Sequence, residues 1–411
     1  MRQSILSFAA FFVEHTSFGR IAMIVQRVIN GVEFAVNPSK GAGLLCMPEV
    51  ARVIDGDMYE FVEYLYEQRN AYTPMVATWE LTNCCNFSCP FCYINTTAKP
   101  EAQVQTFPQM KEWIDTLVDS GLLLVYLTGG EVLSVPDFEI IYRYLKEKGV
   151  FVVLLTNLSL LSENHIALFR DLPPFRITAS IYGLTEDQFC AATRSDPAYC
   201  QTVLNNILRL KDMGIRVTCQ MPVNTCTVRE LVPIADWCFS HGIRFTFSND
   251  LADSYYDESR NSFRVDDETL EELRKQIRQV EAEKSSQVIQ PERVFGYKHH
   301  FDCISGRHTF AVSSGGHLRP CFNIWESYGP SFDGTSSMKQ AMEKMTSYLA
   351  RMRETVLEDC HGCEASQICG ECMYTRMRHL EDPKGYMHLA CARNTARLNE
   401  WCPVSPVNCM P

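Results

Sequence analysis

The sequence predicts an α/β protein built on a parallel sheet, with a small α+β unit before it and a cysteine-organised segment after it. Three observations predict this. Six apolar runs of strand length recur between residues 76 and 249, with helix-period segments between them. An Asn-Gly pair, Asn30–Gly31, sits between two alternating stretches near the start. From about residue 300, cysteine, glycine and histidine rise and the strand–helix rhythm stops.

In chain order, "MIVQRVINGVEFAVNP" reads as a hairpin turning at Asn30–Gly31. "MPEVARVIDGDMYEFVEYLYEQ" reads as one or two short helices, which makes residues 1–72 a small α+β unit. The strands are expected at 76–82, 122–128, 150–157, 175–182, 215–223 and 243–249. Helices such as "TFPQMKEWIDTLVDS" and "AYCQTVLNNILRLKDMG" separate them. Repeated βα units imply a parallel sheet, either a partial barrel or a doubly wound sheet, and both hold ligands at the carboxyl ends of the strands. The polar helix "DDETLEELRKQIRQVEAEKSSQ" closes this part, so the expected domains are 1–72, 73–285 and 286–411.

The chain has 411 residues, a hydrophobic fraction of 46% and a formal net charge of −11. That length suits two or three domains, and the acidity argues against a nucleic-acid partner. The stretch "SILSFAAFFVEH" lacks a small-residue cleavage site and is too short to span a bilayer. It reads as a buried helix, or as sequence upstream of a natural start at Met23. No membrane association is expected, and the location expected is the cytoplasm. The 19 cysteines are unevenly spread, with two tight groups far apart, which favours ligation over scattered disulfides. Cys190, Cys200, Cys219, Cys226 and Cys238 read as core residues, and Cys402 and Cys409 as a disordered end. His299 and His300 carry no assigned role.

The first group, "NCCNFSCPFCYIN", follows the first strand of the repeating part. Cys84-x4-Cys89-x2-Cys92 has the spacing of a plant-type ferredoxin, but the next cysteine is Cys190, three βα units on. A zinc site would want a fourth ligand nearby. The other choice is Cys85-x3-Cys89-x2-Cys92, with Cys84 a spectator. Three thiolates on a four-iron cluster leave one iron open to a second molecule.

This Cx3CxΦC spacing, with Phe91 as the aromatic Φ, resembles the radical S-adenosylmethionine (SAM) superfamily. The resemblance implies a partial (β/α)6 TIM-like barrel with a 4Fe–4S cluster on Cys85, Cys89 and Cys92. It assigns Gly129, Gly130 and Glu131 of "TGGE" to the amino group of SAM. Asn157, Ser180 and Arg194 go to its ribose and carboxylate. The physics suits these roles: paired glycines allow close backbone approach, and an arginine pairs with a carboxylate.

The second group reads Cys303-x12-Gly316-x4-Cys321, then Cys360-x2-Cys363-x5-Cys369-x2-Cys372, then Cys391. It resembles the SPASM extension of radical SAM peptide-modifying enzymes, with two residues rather than three between Cys369 and Cys372. Paired CxxC units also suit zinc. The resemblance implies one auxiliary 4Fe–4S cluster on Cys360, Cys363, Cys369 and Cys391 and another on Cys303, Cys321 and Cys372. No cysteine lies between 303 and 321, so a side chain, water or a substrate thiolate would complete the second cluster. Residues 1–72 resemble a shortened peptide-recognition element, with a plain extension packed on the core as the alternative.

The implied function is a maturase. It cleaves SAM reductively to a 5′-deoxyadenosyl radical, takes hydrogen from a ribosomally made precursor peptide and joins a cysteine sulfur to carbon as a thioether. Flavodoxin or ferredoxin is the implied reductant. Carbon–carbon crosslinking is an alternative within the same chemistry, and a cluster-bearing electron-transfer protein is one outside it. A sulfatase-maturase role is disfavoured because Phe322, not an aspartate, follows Cys321.

Overall fold

The computed structural model describes residues 25–38, 44–45, 65, 73–94, 102–248, 263, 265–284, 309–321, 340–341, 343–345 and 347. The helices expected over 47–68 lie outside these residues except for Leu65, as do Cys303, Cys360, Cys363, Cys369, Cys372 and Cys391.

The hairpin forms as expected. Strands β1 (Val25–Ile29) and β2 (Val32–Val36) pair antiparallel, with β3 (Leu44–Leu45) on the far side of β2. Asn30 and Gly31 take φ of 52° and 83°, the left-handed pair that a two-residue turn of this hand requires.

All six expected strands form: β4 (Val76–Glu80), β5 (Leu124–Thr128), β6 (Phe151–Thr156), β7 (Arg176–Ser180), β8 (Val217–Pro222) and β9 (Arg244–Ser248). They pair in parallel and in chain order, β4-β5-β6-β7-β8-β9. A doubly wound sheet reverses its order at a switch point; this one does not. Right-handed crossovers running one way put every connecting helix on the same face. The sheet is therefore a partial (β/α)6 barrel, and it stays open because the free side of β4 pairs with β10 (Thr309–Val312) instead of β9. β10 runs parallel to β4, and β11 (Leu318–Arg319) returns antiparallel at the edge.

The period of two along each strand separates two environments. Ala77, Trp79, Val125, Leu127, Val152, Leu154, Ile177 and Cys219 face the helices and share one core with Met110, Ile114, Leu117, Ile141 and Ile207. These come from helices α1 (Phe107–Ser120), α2 (Phe138–Glu147) and Ala198–Asp212. The inner face is apolar at the strand starts, where Val76, Leu124, Phe151 and Val153 pack on Ile29, Phe34 and Val36 of the hairpin. Arg27 fixes the hairpin there. Its guanidinium donates to Leu122 O (2.7 Å), Lys148 O (3.2 Å), Val118 O (3.3 Å) and Gly149 O (3.4 Å). These carbonyls end α1 and α2, where the helix dipole favours a cation. Toward the strand ends the inner face turns polar, with Thr78, Thr128, Thr178, Ser180 and Gln220. Cys200, Cys219 and Cys238 are buried, as expected of core thiols, whereas Cys190 and Cys226 are half-buried.

Candidate functional site

The cysteine loop leaves the carboxyl end of β4 and is held from three sides. Ser88 N–H donates to Thr193 O (2.9 Å) at the end of helix Glu186–Thr193. Asn83 and Gln103 exchange two bonds, Asn83 N to Gln103 O (3.0 Å) and Gln103 N to Asn83 Oδ1 (2.8 Å). Phe87 is buried and meets Phe189 edge-on at 5.5 Å between centroids, with Tyr199 at 5.7 Å and Tyr182 at 6.4 Å. Phe91, also buried, lies 5.9 Å from the Tyr182 ring.

The third side is the "TGGE" turn after β5. A Cβ on Gly130 would stand 1.9 Å from Cys84 O and 2.8 Å from Cys85 N, and one on Gly129 2.4 Å from Thr82 O. The sequence assigned this pair to close approach by a ligand. Here the close approach is to the cysteine loop, and it is sealed by Gly130 N–H to Thr82 O and Glu131 N–H to Cys84 O, both 2.8 Å. Cys84, read as a spectator, contributes this backbone carbonyl, and its thiol lies 3.5 Å from Asn83 Oδ1.

Glu131 is buried. Its carboxylate accepts from Thr156 Oγ1 (2.6 Å), Asn157 N (2.7 Å) and Leu133 N (2.9 Å), and so clamps the end of β6 to the end of β5. Burial nevertheless raises its pKa, against the pull of those three donors. Asn157 is likewise engaged. Its amide nitrogen donates to Asn86 Oδ1 (3.1 Å) and reaches Cys85 Sγ at 3.8 Å, and its oxygen accepts from Ser159 N and Ser159 Oγ. Ser180 ends β7. Arg194 is exposed, at φ 50°, immediately after the Thr193 that anchors Ser88. Gly129, Gly130, Glu131 and Asn157 thus border the cysteine loop, which carries Phe91 itself. Glu131 and Asn157 meet it through bonds within the chain.

Tyr182 escaped the sequence reading. It stands two residues past Ser180 in "SIYG", and its ring packs on Phe91 and Phe87 of the cysteine loop at 5.9 and 6.4 Å. The motif was read for its serine, and no linear pattern marks the tyrosine as a neighbour of that loop. Tyr93 was missed in the same way. It donates to Glu80 Oε1 at 3.3 Å, on the inner face at the end of β4.

The donor set fits a cluster. Burial pushes the Cys85 thiol up to about 12 and Cys89 well above the ordinary thiol value, and each is raised further by the other thiols of the trio. Desolvated thiols such as these two ionise readily only with positive charge beside them, and metal binding supplies it while releasing their protons. Phe87 N–H at 3.4 Å and the Asn157 amide are in place to support a Cys85 thiolate. Among the described residues no three His, Cys, Asp or Glu are close enough to hold a single ion. Ligands of a four-iron cube bind different irons and stand further apart than the ligands of one ion. Cys321 is half-buried and stands two residues past the end of β11. No described helix is long and apolar enough to cross a membrane.

Residues 79–238 match the model of the radical SAM superfamily. Among curated proteins, the chain is 24% identical over 321 residues to the antilisterial bacteriocin subtilosin biosynthesis protein AlbA of Bacillus subtilis (strain 168), covering 73% of this chain and 67% of AlbA. It is 27% identical over 184 residues to the sporulation killing factor maturation protein SkfB of the same strain, covering 42% of each chain. Among solved structures, Streptococcus suis SuiB bound to S-adenosylmethionine superposes with a TM-score of 0.57 at 12% identity, over 80% of this chain and 90% of SuiB. The cysteine loop, the glycine turn and strands β5 to β8 all fall within the matched residues, and residues 79–238 form a radical SAM domain.

Proposed function

We propose that this chain is a peptide maturase. It would hold a 4Fe–4S cluster on Cys85, Cys89 and Cys92, bind SAM on the open iron, and crosslink a ribosomally made precursor peptide through a cysteine sulfur-to-carbon thioether. The observation that carries the reading is the trio of free thiols on one loop at the carboxyl end of the barrel, with Cys85 and Cys89 desolvated and none bonded to a disulfide partner. The relatives support the substrate class. AlbA is named for subtilosin biosynthesis and SkfB for maturation of a sporulation killing factor, and SuiB has been solved with its precursor peptide SuiA.

When bound, the cluster and SAM supply one electron and a carbon-centred radical able to take a hydrogen atom from substrate. The chain's own residues do the placing. Phe87, Phe91 and Tyr182 form an aromatic wall that keeps water from the thiols. Glu131 and Asn157 lock the ends of β5 and β6 against the loop. The hydroxyls and amide of Thr128, Thr178, Ser180 and Gln220 offer hydrogen bonds to a peptide lying across the inner face.

Thioether formation is favoured over a carbon–carbon bond by the auxiliary set Cys303, Cys321 and Cys372. Its open position would take a substrate thiolate, while Cys360, Cys363, Cys369 and Cys391 would hold a closed cluster. Flavodoxin or ferredoxin would deliver the electron. The test is anaerobic reconstitution of the full chain, reduction, and assay for 5′-deoxyadenosine with SAM. Co-expression with a cysteine-containing precursor peptide should then remove two hydrogen atoms per bond formed. A C85A/C89A/C92A variant should lose SAM cleavage. Unchanged cleavage in that variant, or zinc in place of iron and sulfide in the parent, overturns the reading. A crosslinked product whose cysteines still alkylate overturns the thioether.

A further inference from the structure

Residues 102–105 return from the cysteine loop and join it to the hairpin that leads to Cys321. On one side they close the neck of the loop. Asn83 N–H donates to Gln103 O (3.0 Å), Thr82 Oγ1 donates to the same carbonyl (2.9 Å), and Gln105 N–H donates to Leu81 O (2.9 Å). On the other side two glutamine side chains reach the turn between β10 and β11. Gln105 Nε2 donates to Ser313 O (2.7 Å), and Ser314 Oγ donates to Gln103 Oε1 (3.1 Å). A Cβ on Gly315 would stand 3.3 Å from Gln103 Oε1, so the turn rests on that side chain. The backbone ladder between β4 and β10 ends at Trp79 and Val312, one residue short of this turn.

Gln105 is buried, and its amide has one orientation. Its Oε1 accepts from Trp79 Nε1 (2.7 Å), and an indole nitrogen only donates. Its Nε2 is thereby turned to Ser313 O, which only accepts. Glutamate could take the indole bond and not give the second; methionine of similar length could do neither. Ser313 O also receives Gly316 N–H (2.8 Å), while Ser313 N–H donates to His317 O (3.0 Å) and His317 N–H to Ser313 Oγ (3.1 Å). The carbonyl that Gln105 holds is therefore the one that closes the turn. β11 starts at the next residue, and Cys321 stands two residues past its end.

We propose that Gln105 is a positioning residue that ties the β10–β11 hairpin to the neck of the cysteine loop, and so places Cys321 to hold its cluster. The inference rests on the reading of Cys321 as a cluster ligand given above. The neck itself is made by backbone groups and Thr82, so it survives loss of the Gln105 side chain. The hairpin does not have that reserve, and a buried carbonyl left without its donor is costly.

The test compares Gln105→Met with Cys321→Ala in the anaerobically reconstituted full chain. In Gln105→Met the amides of 309–321 should exchange hydrogen roughly five- to tenfold faster, the equivalent of one hydrogen bond, while those of 83–94 keep the parent's rates. Iron content should fall toward that of Cys321→Ala, and the reduced-cluster EPR signal that C85A/C89A/C92A lacks should persist. Ser314→Ala, which cuts the bond to Gln103, should move exchange and iron the same way by less. The parent's iron content or the parent's exchange in Gln105→Met overturns the inference and leaves the cluster on the trio standing. Loss of the trio's EPR signal as well would make Gln105 a support of the whole fold, and also overturns it. Should Gln105→Met fail to fold, Ser314→Ala decides alone, unchanged exchange over 309–321 counting against. If Cys321→Ala holds as much iron as the parent, the ligand reading falls, and this inference with it.

Discussion

Replacing Gly130 by alanine tests whether the glycine turn exists to seat the cysteine loop. The added methyl would lie 1.9 Å from Cys84 O, 2.2 Å from Cys84 C and 2.8 Å from Cys85 N. All three are backbone atoms, so no rotamer change relieves the clash. Ordinary contact begins at 3.4 Å, which leaves the loop about 1.5 Å to move. Such a move breaks Glu131 N–H to Cys84 O and strains Gly130 N–H to Thr82 O, both 2.8 Å. Each lost bond is worth about 1 kcal/mol, and overpacking adds roughly 1–3 kcal/mol. The total is about 2–4 kcal/mol, which in a domain of this size lowers Tm by roughly 4–16 °C.

The displacement falls on the residue before the first ligand of the trio, so iron loading should fall as well. The assays are anaerobic thermal denaturation and iron and sulfide content after reconstitution. Gly214→Ala is the comparison. That glycine has φ 77° with nothing within 4 Å, so its replacement costs only the backbone strain of about 1 kcal/mol. If Gly130→Ala melted no lower than Gly214→Ala and bound as much iron as the parent, the turn would have some purpose other than seating the loop.

Glu131→Gln replaces a carboxylate accepting three hydrogen bonds with an amide that must turn its NH2 toward one of those donors. A loss of about 2–4 kcal/mol is expected by denaturant titration, together with weaker SAM binding measured by equilibrium dialysis. Arg27→Ala removes the donor to four carbonyls at the closed end and should cost about 2–4 kcal/mol. Faster proteolysis within 25–38 with unchanged iron content would bear this out, and lost iron would count against it. Burial pushes the Lys146 ammonium from 10.5 down to about 8, while its Nζ donates to Pro173 O at 3.0 Å. With the folded pKa below the unfolded one, the unfolded chain binds the proton more tightly between those values. Stability therefore rises with pH across about 8 to 10.5, by up to about 3 kcal/mol. Lys146→Met should flatten that rise in melts taken across the window, and an unaltered slope would assign it to other groups.

The strands were legible because each is a short run of β-branched and aromatic residues between breakers, and "VFVVLLT" in β6 could hardly be anything else. The trio was legible because its three residues lie within eight positions. Tyr182 was not, since only the fold brings a residue two past the end of β7 to a loop after β4. Arg27 looked like one more strand residue, and its four partners lie 91 to 122 residues away. The four-residue strand β10 was hidden for a similar reason. It is shorter than a periodicity argument needs, and what makes it a strand is β4, more than two hundred residues earlier. Glu131 shows a different limit. Its residue type suited an ammonium ligand, but a carboxylate beside three unpaired donors of its own chain is claimed by them first.

The placement of strain separates the two ends of the barrel. Among the described residues, three that are not glycine have positive φ: Asn30, Leu158 and Arg194. Asn30 is in a turn that asks for it. Arg194 is the left-handed cap of helix Glu186–Thr193, whereas Leu158 ends no helix, and a bulky side chain in this region costs about 1–2 kcal/mol. Both stand at the carboxyl ends of the strands, Leu158 directly after Asn157 and Arg194 directly after Thr193, which holds Ser88. Leu158 is kept in place by Thr156 Oγ1 on its N–H (3.0 Å) and by the Asn206 amide on its carbonyl (2.9 Å). The closed end concentrates instead the apolar inner residues and the Arg27 clamp. A chain organised this way should respond to mutation in two separable ways. Changes at Arg27 or Lys146 should move Tm and leave iron loading alone. Relieving Leu158 by glycine, which accepts φ 59° freely, should raise the tolerance of the backbone but loosen the Asn157 amide from Cys85. If Leu158→Gly bound and held iron as firmly as the parent, the left-handed residue would be an accident of the β6 turn and not part of what aims Asn157 at the thiol.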